Sequence, residues 1–159
     1  MTEYSKQIFQ NPELLRQKLN LYLQTPKKTE LYAKACEKFY SSQKENIEWQ
    51  FSWSWWAFFF PFLFLLSRKH YIAAFVALFT INIFLLFAHV FYAMWAKYFV
   101  VKRFVKFLDL QDDEILLKKG GKNSVVIIVL IVFLLGILAS ISISSYMQYT
   151  NNSKRHYQI

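Results

Sequence analysis

Residues 51–66 read FSWSWWAFFFPFLFLL and residues 71–95 read YIAAFVALFTINIFLLFAHVFYAMW. Neither run contains Asp, Glu, Lys or Arg, and the corner between them carries Arg68, Lys69 and His70. Uncharged apolar runs of this kind read as lipid-facing protein. A third run, 125–147, has the same character. The pattern predicts an all-α membrane protein. Apolar residues at 55% and aromatics at 20% of the chain agree with that class.

A helix rises about 1.5 Å per residue, so 71–95 covers roughly 37 Å and 125–147 roughly 34 Å, enough for a hydrocarbon core of about 30 Å. By the same arithmetic 51–66 covers only about 24 Å, and it contains Pro61, so it can cross, lie in the interface or enter and return. Charge helps to choose. Segment 1–50 holds eight Lys and Arg, the corner two, segment 96–124 seven and the tail two of the nineteen. Three crossings put the eight and the seven on one side, as the positive-inside rule expects. The expectation is therefore three transmembrane helices, the first short, with the amino terminus cytoplasmic and the carboxyl terminus outside. The chain divides into an amphipathic helical segment (1–48), an aromatic membrane hairpin with a basic juxtamembrane helix (49–110), a cytoplasmic loop (111–124), the third span (125–147) and a tail (148–159).

Trp49, Trp53, Trp55 and Trp56 cluster at the entry to the first run, where indole rings favour the headgroup layer. The net charge of +9 flanks apolar runs, which points to anionic lipid and away from nucleic acid. Within the first 45 residues no apolar core has signal-peptide length, so the first run is expected to act as the targeting signal. Cys36 is the single cysteine, which excludes an intramolecular disulfide.

Residues 1–10 read as a frayed lead-in. Asn11, Pro12 and Glu13 then form a helix start, with Leu15, Leu19, Tyr22 and Leu23 on one face, and the helix ends near Thr25-Pro26. Thr29 is expected to open a second helix with Tyr32, Cys36, Phe39 and Tyr40 on one side, the two helices packing on each other. Beyond residue 95, Lys97, Lys102, Arg103 and Lys106 accompany Phe104, Phe107 and Leu108 in a basic amphipathic pattern, expected to lie against the cytoplasmic face and touch lipid headgroups. Asp112, Asp113 and Glu114 lack calcium-loop spacing and read as solvated charge. Gly120-Gly121 reads as a turn into the third run.

Asn82 and His89 lie seven residues apart on one expected helical face of the second run. They make either an interhelical hydrogen bond or part of an ion path. Small residues at four-residue spacing, Ala73 and Ala77 in the second run and Gly136, Ser140 and Ser144 in the third, suit close helix packing, within the chain or between copies in a homo-oligomer. Paired carboxylates, clustered metal ligands, a glycine-rich phosphate loop and a base beside the serines of the third run are all missing from the pattern. The expectation is a protein that is not an enzyme and carries no cofactor or metal.

Phe51 and Trp53, Ala57 with Phe58, Phe59 and Phe60, Pro61, and Arg68, Lys69 and Tyr71 together resemble the hallmark of a family of small bacterial membrane proteins catalogued as domain of unknown function 2628. A basic element at 96–103 and a preceding helix at 32–39 are similar to neighbouring parts of that family, so the likeness covers about residues 30–110. It implies a bacterial inner-membrane location and no assigned activity. Taken together, the expected role is that of a scaffold, accessory subunit or regulator meeting anionic lipids and a membrane-protein partner. An oligomeric ion or solute conduit using Asn82 and His89 is the alternative.

Overall fold

The structure is a computed structural model and describes residues 1–41 and 44–156. It is mostly helical and forms two units, 1–123 and 124–159. The first unit begins with three amphipathic helices, α1 (Glu3–Gln10), α2 (Pro12–Leu23) and α3 (Pro26–Phe39). The lead-in expected to fray is instead helical: the Thr2 side chain caps α1, and Ile8 and Phe9 are buried. At α2 the Asn11 side chain accepts from the N–H groups of Glu13 and Leu14, the cap the sequence announced. The next helix starts at Pro26 and not at Thr29, because the ring fixes a φ suited to the first helical position and the missing N–H costs nothing there. Tyr40 and Ile47 pair across two two-residue antiparallel strands, β1 (Tyr40–Ser41) and β2 (Asn46–Ile47), which the sequence reading lacked.

The first apolar run is not one helix. It forms α4 (Trp55–Phe59) and α5 (Pro61–Ser67), interrupted at Phe60, whose backbone leaves the helical region because Pro61 follows it. α5 closes with His70 N–H bonded to the Leu65 carbonyl at 2.9 Å and Lys69 N–H to that of Leu66 at 3.1 Å. Lys69 itself takes the left-handed conformation, φ 60°, that completes this C-terminal motif.

α6 (Tyr71–Leu108) contains 38 residues and would be about 57 Å long if straight. It folds back. Thr80 Oγ1 lies 3.0 Å from Tyr92 Oη, whereas twelve residues of straight helix separate their Cα atoms by about 18 Å, beyond the reach of both side chains. At the open end of this hairpin the His70 and Phe99 rings are 6.3 Å apart, and Arg103 Nη1 donates to the Lys69 carbonyl. The reversal therefore falls between Thr80 and Tyr92, joining an outgoing arm to a return arm. Ala74 and Ala77 on the first arm and Ala88, Ala93 and Ala96 on the second are buried, as is Ala57 of α4, and these small side chains let backbones approach closely.

These contacts correct two expectations. Three crossings would set the corner at 68–70 across the membrane from 96–124. Instead Asn123 N–H donates to the Ser67 carbonyl at 2.9 Å, and the Lys69 ammonium caps the end of α7 (Asp113–Lys119) by donating to the carbonyls of Lys118 and Gly120. The basic juxtamembrane segment also does not lie with its apolar face free for lipid. Val100, Val101, Phe104, Val105 and Leu108 are buried in one core with Ile8, Leu15, Leu19, Tyr22, Leu23, Phe39 and Leu116. The expected loop contains α7, whose first turn is capped by the Asp112 side chain, while Asp113 pairs with Lys18 at 2.6 Å. At Gly120 a Cβ would come within 2.1 Å of the Tyr22 carbonyl oxygen, so only glycine lets this turn dock on α2.

The second unit is α8 (Ser124–His156). Among the described residues one stretch is long and apolar enough to cross a membrane, Leu130–Thr150 of this helix. Tyr71–Phe84 is apolar but shorter.

Two outcomes are expected. With Cys36 replaced by Ala, cysteines at Thr80 and Tyr92 should be joined by a short bismaleimide and give one intramolecularly linked species by mass spectrometry. A straight α6 would leave them singly modified. Phe104→Ala, in a side chain buried between Phe9 and Tyr22, should destabilise the fold by roughly 3 to 5 kcal/mol in thermal unfolding followed by circular dichroism. Phe87→Ala, at an exposed ring, should leave the midpoint nearly unchanged.

Candidate functional site

The fold-back brings together basic residues that are far apart in sequence. The corner Arg68-Lys69-His70 meets the end of the return arm, so Arg68, His70 and Arg103 lie within one electrostatic neighbourhood. Arg68 is only 5% exposed, and its guanidinium sits 5.2 Å from the centre of the Tyr32 ring, an aromatic face in place of a carboxylate. Arg103 lies 5.4 Å from the Phe107 ring centre. Burial raises the Tyr22 hydroxyl to about 12 and also raises that of Tyr32, while the nearby guanidinium groups oppose the shift. Burial pushes the Cys36 thiol up as well, as expected of an inert core cysteine.

Of the four residues expected at lipid headgroups, Lys102, Arg103 and Lys106 line one open groove of about 840 Å³ together with His70, Met1 and Asp109. Lys97 lies elsewhere, in a second groove of about 590 Å³ beside Lys34, Lys38 and Trp53. Asp109 is held below the usual carboxylate range. Burial works against this, but hydrogen bonds from the Ser5 hydroxyl and from the Thr2 backbone and hydroxyl outweigh it. His70 is driven to about 4, first by burial and then by the charges of Arg103 and Arg68, and its Nε2 is buried with no hydrogen-bond partner. His70 has no signal in the sequence, because a lone histidine in a basic corner has no spacing partner. Only the fold-back sets it beside Arg103.

The packing residues divide between the units. Ala77 is buried and Ala73 half-buried in the first arm of α6. In α8 the Ser140 hydroxyl donates to the Gly136 carbonyl at 2.8 Å, and Ser144 follows on the same face. Asn82 and His89 lose the shared face their spacing implied, since the chain reverses in the interval that contains them. The exposed Asn82 side chain donates to the Leu78 carbonyl, and the His89 ring lies 6.2 Å from that of Phe58. The tryptophans gather at one level of the hairpin. Trp49 stacks on Trp95 at 5.3 Å, Trp53 meets Trp55 edge-on at 5.5 Å, and Ser54 N–H reaches the Ala93 carbonyl at 3.1 Å.

The His70 shift makes stability depend on pH. The unfolded chain takes up a proton near pH 6.5 that the folded chain takes up only near 4, so stability is present above about 6.5 and is lost as pH falls toward 4. His70→Gln should flatten that part of the pH profile of the unfolding midpoint. Comparisons with family models, with curated proteins and with solved structures found no match.

Proposed function

We propose that this chain is a non-enzymatic integral membrane protein, a scaffold, accessory subunit or regulator, that is anchored by α8 and inserts its aromatic hairpins into one leaflet from the cytoplasmic side. The observation that carries this reading is a large, predominantly apolar and exposed surface along the α6 hairpin. Near the reversal Ile83 is 71% and Phe87 83% exposed, with Phe79, Phe84 and Leu86 beside them, and Ile72, 84% exposed, and Phe75 extend the surface along the outgoing arm. A continuous surface of this kind needs an apolar environment.

Depth supports the same reading. From the reversal near residue 86 to Trp95 is about 13 Å of helix, close to half of a hydrocarbon core of about 30 Å. The tryptophan tier would then sit at the headgroup boundary, with Lys102, Arg103 and Lys106 just beyond it. Charge agrees as well. With both apolar runs entering and returning, segments 1–50, 68–70 and 96–124 share one side, carrying eight, two and seven of the nineteen basic residues. That bias exceeds the one three crossings would give. A bacterial inner membrane, implied by the family resemblance, is the proposed location. An oligomeric conduit through Asn82 and His89 stands second, because the reversal takes the two off a common face. A membrane-protein partner or a second copy is proposed to meet the small-residue face of α8.

Cysteine accessibility tests the topology. In the Cys36→Ala background, single cysteines replace Tyr71, Lys122 and Tyr149, and intact cells are treated with a thiol reagent that cannot cross the membrane. Labelling at 149 alone is the expected result. Labelling at both 71 and 149 would restore the three-crossing arrangement and overturn the re-entrant one.

A further inference from the structure

The groove beside the corner differs from an ordinary solvated basic face. Each described ion pair lies elsewhere, on Lys6, Arg16, Lys18 or Lys44. Among the described residues Lys102, Arg103 and Lys106 therefore have no carboxylate within ion-pair distance. The acid that lines the groove, Asp109, accepts on Oδ1 from the Thr2 N–H and from the Thr2 and Ser5 hydroxyls, which orients the carboxylate and leaves it one negative charge against the three cations. Arg103 commits Nη1 to the Lys69 carbonyl, which fixes the orientation of its guanidinium plane and leaves the other donors for a ligand. His70 lines the same groove and its buried Nε2 has no hydrogen-bond partner. Three cations against one carboxylate leave the groove net positive, which is complementary to a compact oxyanion.

We propose that this groove binds a single phosphate group, with Lys102, Arg103 and Lys106 as counter-charges and the His70 ring in the groove wall beside it. The group belongs either to an anionic phospholipid headgroup or to a soluble phosphate ester. The lipid source is favoured by the level of the groove, just beyond the tryptophan tier, and to that extent the inference rests on the membrane reading above. Binding is then site-specific. It differs from the diffuse attraction that any lysine near an anionic leaflet supplies.

The test uses the full chain in nanodiscs, with histidines isotopically labelled and the His70 signal assigned by its loss in His70→Gln. The imidazole is titrated by NMR in phosphatidylcholine alone, in phosphatidylcholine with phosphatidylglycerol, and in phosphatidylcholine with soluble glycerol 1-phosphate. An oxyanion in the groove that His70 lines stabilises the imidazolium, so the His70 midpoint should rise by about one pH unit or more when the site fills. A rise with phosphatidylglycerol identifies a lipid headgroup, and a rise with glycerol 1-phosphate identifies a soluble ester. Lys102→Ala with Lys106→Ala should abolish the rise, while Lys118→Ala with Lys119→Ala should preserve it. No rise with either probe overturns the proposal, and so does an equal loss in both double variants, which would mark a diffuse field. Failure to enter nanodiscs would count against the membrane reading instead. The soluble-ester titration would then be run in detergent, where it still decides the groove.

Discussion

The Lys69 carbonyl can meet the Arg103 guanidinium only because α6 turns back on itself, and the rest of the first unit depends on that reversal. A straight helix would carry its ends about 57 Å apart. Folded, it holds the corner at 68–70 against its own last turns and brings Asn123 to Ser67 and Lys69 to the end of α7. The corner is consequently crowded with positive charge. An aromatic face beneath Arg68 and a backbone carbonyl at Arg103 take the place of carboxylates, so the charge is positioned without being neutralised.

One helix thereby serves two surroundings. Around the reversal its side chains are large, apolar and exposed. Toward its end Val100, Val101, Phe104, Val105 and Leu108 are the wall on which the amino-terminal helices fold. Between them lies the tier of Trp49, Trp53 and Trp95, rings with an apolar body and a polar tip that suit a boundary. In the proposed reading that sequence of environments along the return arm is also the sequence met on leaving a bilayer: hydrocarbon, interface, headgroup. The amino-terminal helices close a small core around the end of the arm, so the exposed apolar hairpin and that core share one support.

Much of this was legible in the residues. Helical class, the cap at Asn11, the face of Leu15, Leu19, Tyr22 and Leu23, and the break at Pro61 follow from local rules of spacing, capping and ring geometry. The grouping of Lys102, Arg103 and Lys106 follows from helical periodicity. The first helix was less legible, because α1 is held by burial of Ile8 and Phe9 in a distant core and not by a strong local signal.

The path of the apolar runs had a different basis. Length and composition fix only that 71–95 prefers an apolar surrounding, and a single helix and a folded hairpin satisfy that preference equally, since both keep their backbone hydrogen bonds internal. What separates them is long-range contact: alanines that allow close approach of the arms, the Thr80–Tyr92 hydroxyl pair, and a guanidinium that closes the base. None of these has a signature in local spacing. The sequence by itself determined that this chain is helical, apolar and basic at its margins. The tertiary structure alone decided that its basic residues converge with His70 in one groove, because that convergence is made by pairs of residues more than thirty positions apart.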